Sequence, residues 1–330
     1  GTTTLNSALT STGEHPGIEL LNVASSTIRN STMNVIGNVG SRSTALFRIN
    51  SCGNVAGQGC LGTETPRAIT TAVIDNVTGT NGTPGGYGEI IGQDATSSAD
   101  NQITGAHISD ADITCTVASN SGHGAMLGYL VGGRITRSKV DACGINFIAK
   151  KTATTASEFS GNLSINAGSQ HFRLKGALAL FANNTAASYT GTGSLYYADV
   201  ESVSGTNSTV SLYNNIGYAN GGTPAYNVFV ETASTLTVAD DNDWYGAATW
   251  YDDATTFTTL ATWNAVAAVG TDLDANPAFA GGASPTLASG FRLSADSSLR
   301  RVGTDRNAGN YQDNGNRGFH HPPSIGAWEA

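Results

Sequence analysis

Phe147-Ile148-Ala149-Lys150, Phe172-Arg173-Leu174-Lys175, Tyr196-Tyr197-Ala198-Asp199 and Val228-Phe229-Val230-Glu231 are four versions of one short strand, beginning 25, 24 and 32 residues apart. Side chains alternate between the two faces of a strand. Phe147, Ala149, Phe172, Leu174, Tyr196, Ala198, Val228 and Val230 are therefore expected to stack inward as a core of mixed sizes. Ile148, Lys150, Arg173, Lys175, Tyr197, Asp199, Phe229 and Glu231 are expected to face outward. A step of roughly 20–30 residues carrying about two short strands is the period of a parallel β-solenoid. The L-x-x-L-x-L pattern of leucine-rich repeats and the four-strand blades of a propeller are both absent.

Upstream, the same kind of strand appears as Leu46-Phe47-Arg48-Ile49 and Tyr129-Leu130-Val131-Gly132. A second half-motif, Ile or Val beside Thr, Ser or Asn, accompanies it: Ser26 to Asn30, Ala68 to Thr70, Gln102 to Thr104, Arg134 to Thr136, Glu158 to Asn162, Thr209 to Leu212 and Thr235 to Val238. Composition agrees. The 330 residues include 41 Gly, only 12% are charged, and 39% are hydrophobic. Thr, Ser, Asn and Gly favour strands and tight turns over long surface helices. The expected fold is all-β, a parallel β-helix of about eight coils over residues 1–238 (its coils from Ile18), closed by an irregular capping segment over 239–330. An open solenoid end exposes strand edge and core, so it requires a cover. In that last part, Phe257 to Val266 has helical apolar spacing.

Smaller features read as follows. No apolar run is long enough to cross a membrane as a helix. The chain opens on Gly1-Thr2-Thr3-Thr4 with no secretory signal, so either a signal has been removed or the start of a longer protein is absent. Cys52 and Cys60 bracket a loop that a disulfide could close, whereas Cys115 and Cys143 read as small core residues. Asn30, Asn162, Asn166, Asn214 and Asn215 lie near turns, as an internal amide ladder or turn residues on one reading and as sugar-binding amides on the other. Asp240-Asp241-Asn242-Asp243 could recruit calcium, but its spacing fits no EF-hand loop, and a solvated acidic turn is the reading taken. No metal site and no other cofactor is expected.

The end of the chain carries a resemblance. Asn276-Pro277-Ala278-Phe279, Phe291-Arg292-Leu293, Ser297-Ser298-Leu299-Arg300-Arg301-Val302-Gly303 and Pro323-Ser324-Ile325-Gly326-Ala327-Trp328-Glu329 are similar to the closing segment of right-handed parallel β-helix repeat proteins of bacteria and phages. Asp240 to Tyr245 resembles that family's stretch before the cap. The likeness spans roughly Ile18 to Glu329; the Ser297 to Gly303 run departs from the family pattern, and the usual opening strands are missing. It implies right-handed winding, and in a phage protein the missing opening would be the virion-attachment part. Such folds host polysaccharide lyases, hydrolases, adhesins and tailspikes, so the resemblance speaks to fold more than to activity.

Charge then narrows the face. Sixteen basic and twenty-five acidic side chains give a net charge of −9. Yet Arg134, Arg137, Lys139, Lys150, Lys151, Arg173 and Lys175 gather in one window against Asp141 and Glu158. A basic island in an acidic field can select an anionic polymer; its other reading is a solubilising row that discourages edge pairing. Nucleic acid is disfavoured by the overall charge and the lack of interleaved aromatics. Nucleophile-elbow, zinc-protease, Walker and dinucleotide motifs are absent. Ser121 to Gly124 reads as a turn, and His320-His321 as structural.

The expected substrate-binding set is Lys150, His171, Arg173, Lys175, Tyr197, Asp199 and Glu231. The function it suggests is a polysaccharide-binding protein of tailspike, receptor-binding or adhesin type, extracellular or on a virion surface, with a cell-surface glycan as partner and a homotrimer as the state common among spikes. The alternative is a secreted polysaccharide lyase, with Lys150, Arg173 and Lys175 as base and carboxylate-neutralising groups. A glycoside hydrolase using Asp199 and Glu231 as its carboxylate pair is the other enzymatic form.

Overall fold

The structure, a computed structural model, describes residues 3–4, 17–35, 45–51, 56–57, 60–61, 67–82, 86–92, 103–116, 122–150, 155–200, 205–246, 249–304 and 324–327. Among them the chain is all-β, built on two long sheets whose neighbouring strands run parallel. This arrangement is compatible with a β-helix. The ten-stranded sheet takes one strand from each repeat: Ile18–Leu21, Ala45–Asn50, Tyr87–Gly92, His123–Gly128, Ile145–Lys150, Gln170–Lys175, Ser194–Asp199, Val228–Val230 and Trp250–Asp252, ending in an antiparallel Thr255–Phe257. Phe147, Phe172, Tyr196 and Val228 are partners in successive strands, as the sequence spacing implies. Tyr129 to Gly132 is not a strand: Tyr129 and Gly132 have positive φ and form the turn after His123–Gly128.

The fifteen-stranded sheet receives two strands per repeat. Ser25–Val35 and Thr71–Asn81 each run through both halves, and later repeats divide into pairs such as Ser157–Ser160 with Leu163–Ile165, or Thr209–Tyr213 with Ile216–Ala219. Two residues join each pair. The first turns left-handed: Asp110, Arg137, Gly161, Asn183, Asn214 and Asp241 have φ between 51° and 65°. Asn, Asp and Gly carry that conformation at least cost. The second points inward. Asn162 Nδ2 donates to Asn184 Oδ1 at 3.0 Å, Asn184 Nδ2 to Asn215 Oδ1 at 3.0 Å, and Asn215 Nδ2 to Asn242 Oδ1 at 2.9 Å. Each Oδ1 also accepts a backbone N–H, from Ser138, Asn162, Asn184 and Asn215 in turn. The row ends on Asp272, whose Oδ1 accepts from Asn242 while Oδ2 accepts the indole N–H of Trp244 and of Trp263, both at 2.8 Å. Asn162 and Asn215 are thus the buried ladder, while Asn30, Asn166 and Asn214 occupy left-handed positions.

Rings fill the space between the sheets. Phe147, Phe172 and Tyr196 stack at 4.9 and 5.0 Å, nearly coplanar in orientation, and Trp244 meets Tyr196 edge-on at 5.5 Å. Glu89 sits in the same inward row, between Phe47 and Ala125. Its carboxyl is fully buried with neither oxygen hydrogen-bonded, and burial, then Asp112, pushes its pKa well above the usual range. The folded protein therefore keeps a proton that the unfolded chain releases above about pH 4.3. Stability contributed by the neutral acid is present at low pH and falls as pH rises towards the folded pKa, by about 1.4 kcal/mol per pH unit. Glu89→Met should remove that slope. Urea melts of both proteins between pH 4 and 8 would check it, and parallel pH profiles would refute it.

Cys115 and Cys143 form a disulfide across a separation of 28 residues, correcting the expectation of two core thiols. Asp112–Cys115 and Lys139–Asp141 pair as neighbouring strands, which brings the two Cα atoms to 4.9 Å, within bridging range. Cys52 and the Cys60 side chain lie outside the described residues, as do Ser121, His320 and His321, while His123 and Gly124 begin the strand His123–Gly128 and are not the expected turn.

Past Val238 the parallel pairing continues through Asp243–Tyr245 and Trp250–Asp252. Trp263, on the short helix Leu260–Trp263, then stacks on Trp250 at 6.1 Å and closes that end of the core. Beyond Asp274 the described residues turn to the flank. Phe279, Phe291, Leu293, Leu299, Ile325 and Ala327 pack against Leu163, Ile165, Ala187, Ile216 and Tyr218, on the outward side of the fifteen-stranded sheet. Polar contacts fix this seam: Asn183 Nδ2 donates to Ser324 O, Gly326 N to Asn214 O, and the Tyr218 and Tyr189 hydroxyls to Ala283 O and Pro285 O.

Candidate functional site

The outward side of the ten-stranded sheet changes character along its length. One row of register partners reads Arg48, Ile90, Met126, Ile148, Arg173, Tyr197, Phe229, Tyr251. Its first four members are buried; the last four are partly exposed. Ile148 therefore points outward as expected but is covered, in a small apolar cluster with Ala45, Tyr87, Ile90, Met126 and Ile145.

The exposed half is a stack. Tyr197, Phe229 and Tyr251 lie ring on ring at 4.4 and 4.6 Å with planes within 10°, Tyr226 leans on Phe229 at 5.1 Å, and the Arg173 guanidinium sits 5.6 Å from the Tyr197 centroid. Strand spacing is close to ring-stacking distance, so identical positions on successive strands stack their rings almost automatically. The ring faces are consumed by one another, and the strip presents outward the ring edges and the hydroxyls of Tyr197 and Tyr251. Burial, then Asp199, raises the Tyr197 phenol, which remains a neutral donor at physiological pH.

Two residues along from this row runs a charged one. Lys150 is the register partner of Lys175, and Lys175 of Asp199; Glu231 continues the row, its N–H bonding to Ala198 O at 2.9 Å. The four stack in the order plus, plus, minus, minus. Asp199 pairs with Arg173: Nη2 to Oδ2 is 2.5 Å and Nε to Oδ1 is 3.3 Å. Arg173 reaches this diagonal neighbour because a planar guanidinium can give a carboxylate two parallel hydrogen bonds. Burial pushes the Asp199 carboxyl up, against the opposing pull of Arg173. Glu231 Oε2 accepts the Val200 N–H at 2.7 Å.

His171 does not belong to this face. It is fully buried, with Nδ1 2.8 Å from Ser164 Oγ, and burial lowers its pKa to about 3. Strict alternation would send it outward beside Arg173. Alternation lapses here by one residue in each repeat, because Asn146, His171 and Leu195 point inward together with the rings that follow them. Asn146 Nδ2 reaches Val140 O, Ser164 Oγ and Ile165 O, bridging to the other sheet. Lys150, Arg173, Lys175, Tyr197, Asp199 and Glu231 are brought together; His171 is not. Tyr226 and Tyr251 were missed. Tyr251 was legible, since Trp250-Tyr251-Asp252-Asp253 repeats the order core residue, ring, any residue, acid of Val228-Phe229-Val230-Glu231.

Several other polar groups are occupied. Arg29 and Ser109 hold Asp75 at 2.7 and 2.6 Å, Arg137 holds Asp110 through two bonds, and His107 Nε2 meets Thr136 Oγ1 at 2.9 Å. The acidic turn at Asp240 to Asp243 is not simply solvated. Asp240 accepts from Thr271 N, Asp241 from Thr304 Oγ1, and Asp243 from Ala275 N, tying the last repeat to the segment that follows. Among the described residues no three His, Cys, Asp or Glu side chains converge to hold a metal ion, and no helix is long and apolar enough to cross a membrane. The chain matches no protein-family model and no curated protein.

Proposed function

We propose that this protein is a right-handed parallel β-helix that binds an acidic polysaccharide on the outward strip of its ten-stranded sheet, as a tailspike, receptor-binding protein or surface adhesin does. One observation carries the reading: two lysines stacked on successive strands lie beside a partly exposed ladder of rings ending on an arginine. Ammonium groups on neighbouring strands are donors that a carboxylate-bearing chain can follow. The neighbouring phenols supply hydroxyl contacts to sugar oxygens. A disulfide suits an oxidising environment, which supports placement outside the cytoplasm or on a virion surface.

Lys150→Ala combined with Lys175→Ala should abolish binding of acidic oligosaccharides while leaving the melting temperature unchanged or raised. Calorimetric titration together with a thermal melt reads both quantities. Unaltered binding in that double variant would reduce the column to a structural charge ladder.

Binding is favoured over hydrolysis because both oxygens of Asp199 are held by Arg173 and Glu231 is engaged by a backbone N–H. A hydrolase needs one carboxyl to donate a proton and another to attack or activate water. Appearance of unsaturated-sugar absorbance on an acidic polysaccharide would instead establish the lyase reading.

A further inference from the structure

We infer that Asp199 is a positioning residue of this face: it holds the Arg173 guanidinium side-on, so that the open end of that group receives a sugar carboxylate through two parallel hydrogen bonds. The inference rests on the proposed reading of the face as a glycan site. It adds to that reading the residue that reads the carboxylate and the residue that orients it.

A guanidinium carries five N–H donors in a rigid plane. Asp199 takes two of them along one side, Nε to Oδ1 at 3.3 Å and Nη2 to Oδ2 at 2.5 Å. The other arm is open: among the described residues Nη1 has no hydrogen-bond partner, and it is not buried. The end of the group therefore keeps one N–H on Nη1 and one on Nη2 side by side, the fork that a carboxylate matches. Two neighbours hold that fork in place. Asp199 fixes it from the next strand, and Tyr197 lies 5.6 Å from it as the first plate of a stack continued by Phe229 and Tyr251. The Arg173 and Asp199 side chains keep 22% and 12% of their surface, so the pair is sheltered while its outer edge meets solvent. Arg48, at the far end of the same outward row, shows the contrasting case: Nη1 is spent on Glu19 at 2.9 Å and the side chain is fully buried. On the other sheet Asp110 holds Arg137 in the same side-on way, at 3.0 and 2.6 Å, which makes that pair a control.

Charge and orientation act in opposite directions here. An acid beside an anion site repels the ligand across a distance well inside the screening length of physiological salt. What Asp199 contributes to binding comes instead through Arg173, a long side chain that otherwise loses much rotamer freedom when it engages a ligand.

The test is calorimetric titration of galacturonate and hyaluronan oligosaccharides at physiological salt, with a thermal melt of every variant. Asp199→Asn removes a negative charge from an anion site, and on charge alone it would tighten binding. With Arg173 released it should instead weaken binding about tenfold. Arg173→Lys keeps the charge without the fork and should lose about as much, which decides the question even if Asp199→Asn folds poorly. In the Arg173→Lys background Asp199→Asn should leave affinity unchanged or raise it, a reversal of sign that a loosened fold does not give. Asp110→Asn, which breaks the equivalent fork on the other sheet, should bind as the parent does. Parental affinity in Arg173→Lys, equal or tighter binding in Asp199→Asn, or an equal loss in Asp110→Asn would overturn the positioning inference while leaving the glycan site standing. If the unaltered protein binds neither set of oligosaccharides, the site falls and the inference with it.

Discussion

Asn215→Leu should destabilise the protein by roughly 3–5 kcal/mol, the cost of leaving two or three buried polar groups without partners. Leucine has the branching of the amide, is somewhat larger, and makes none of its bonds. Asn215 Oδ1 accepts from both the backbone N–H and the Nδ2 of Asn184, while its Nδ2 donates to Phe181 O and Asn242 Oδ1. After substitution the Asn184 N–H and the Phe181 carbonyl stay buried between the sheets, with no water to replace the lost partners. Asn214, one residue earlier, provides the control. It has a positive φ and supports the seam through Thr304, so Asn214→Gly keeps the turn and loses only the side-chain bonds to Thr304. Chemical denaturation of the two variants should show Asn215→Leu as the more damaging by at least about 2 kcal/mol. Equal midpoints would mean that the ladder contributes no more than the turn.

Removing Phe291 to Ala330 should produce a protein that aggregates. Loss of Phe291, Leu293, Leu299, Ile325 and Ala327 uncovers Leu163, Ile165, Ala187, Ile216 and Tyr218 along the flank. Burial of the four large side chains among them is worth roughly 6–12 kcal/mol at the usual 1.5–3 kcal/mol each, and the bared patch is contiguous, the kind that drives association. The end of the core stays covered, because Trp250 and Trp263 precede the cut. Detergent or a hydrophobic dye should therefore report exposed flank, and limited proteolysis should leave the repeats intact. A truncated protein that stays monomeric and melts cooperatively would show that the segment is dispensable.

The repeat period and the register were legible because the core residues differ in kind from their neighbours: Phe147, Phe172, Tyr196 and Val228 can be aligned by eye, and they are partners in the structure. The third strand of each repeat was not. Thr185–Ser188 and Ile216–Ala219 follow the preceding strand after only two residues, without the Gly-Pro punctuation that marks a turn, because a single left-handed Asn suffices. The disulfide was not anticipated although Cys115 and Cys143 lie in strand-like runs one repeat apart, because it takes the pairing of Asp112–Cys115 with Lys139–Asp141 to bring them side by side. His171 was misplaced because period-two alternation does not announce where it lapses. The charged row survived intact: Lys150, Lys175, Asp199 and Glu231 depend only on counting forward from the aligned rings. Within the expected capping segment 239–330, Trp263 lies over the end of the core, while Phe279, Phe291, Leu293, Leu299, Ile325 and Ala327 lie on its flank. Its apolar residues were visible, but the surface awaiting them, Leu163 to Tyr218, belonged to the unrecognised strands.

The ladder also gives the interior a direction. From Asn162 to Asn242 every side-chain amide is oriented the same way, its NH2 towards the later repeat and its oxygen towards the earlier one. Amide dipoles lined up head to tail add, as peptide dipoles do along a helix. The positive pole of this row falls where Asn242 meets Asp272, the position at which a helix would favour an acid. A fifth asparagine there would stack as well as the others but would leave that pole unopposed and bring its own NH2 against the indoles of Trp244 and Trp263. Asp272 accepts from all of them at once. The row thus ends on a different residue type for an electrostatic reason, and the two tryptophans that close the core are oriented by the charge that terminates it.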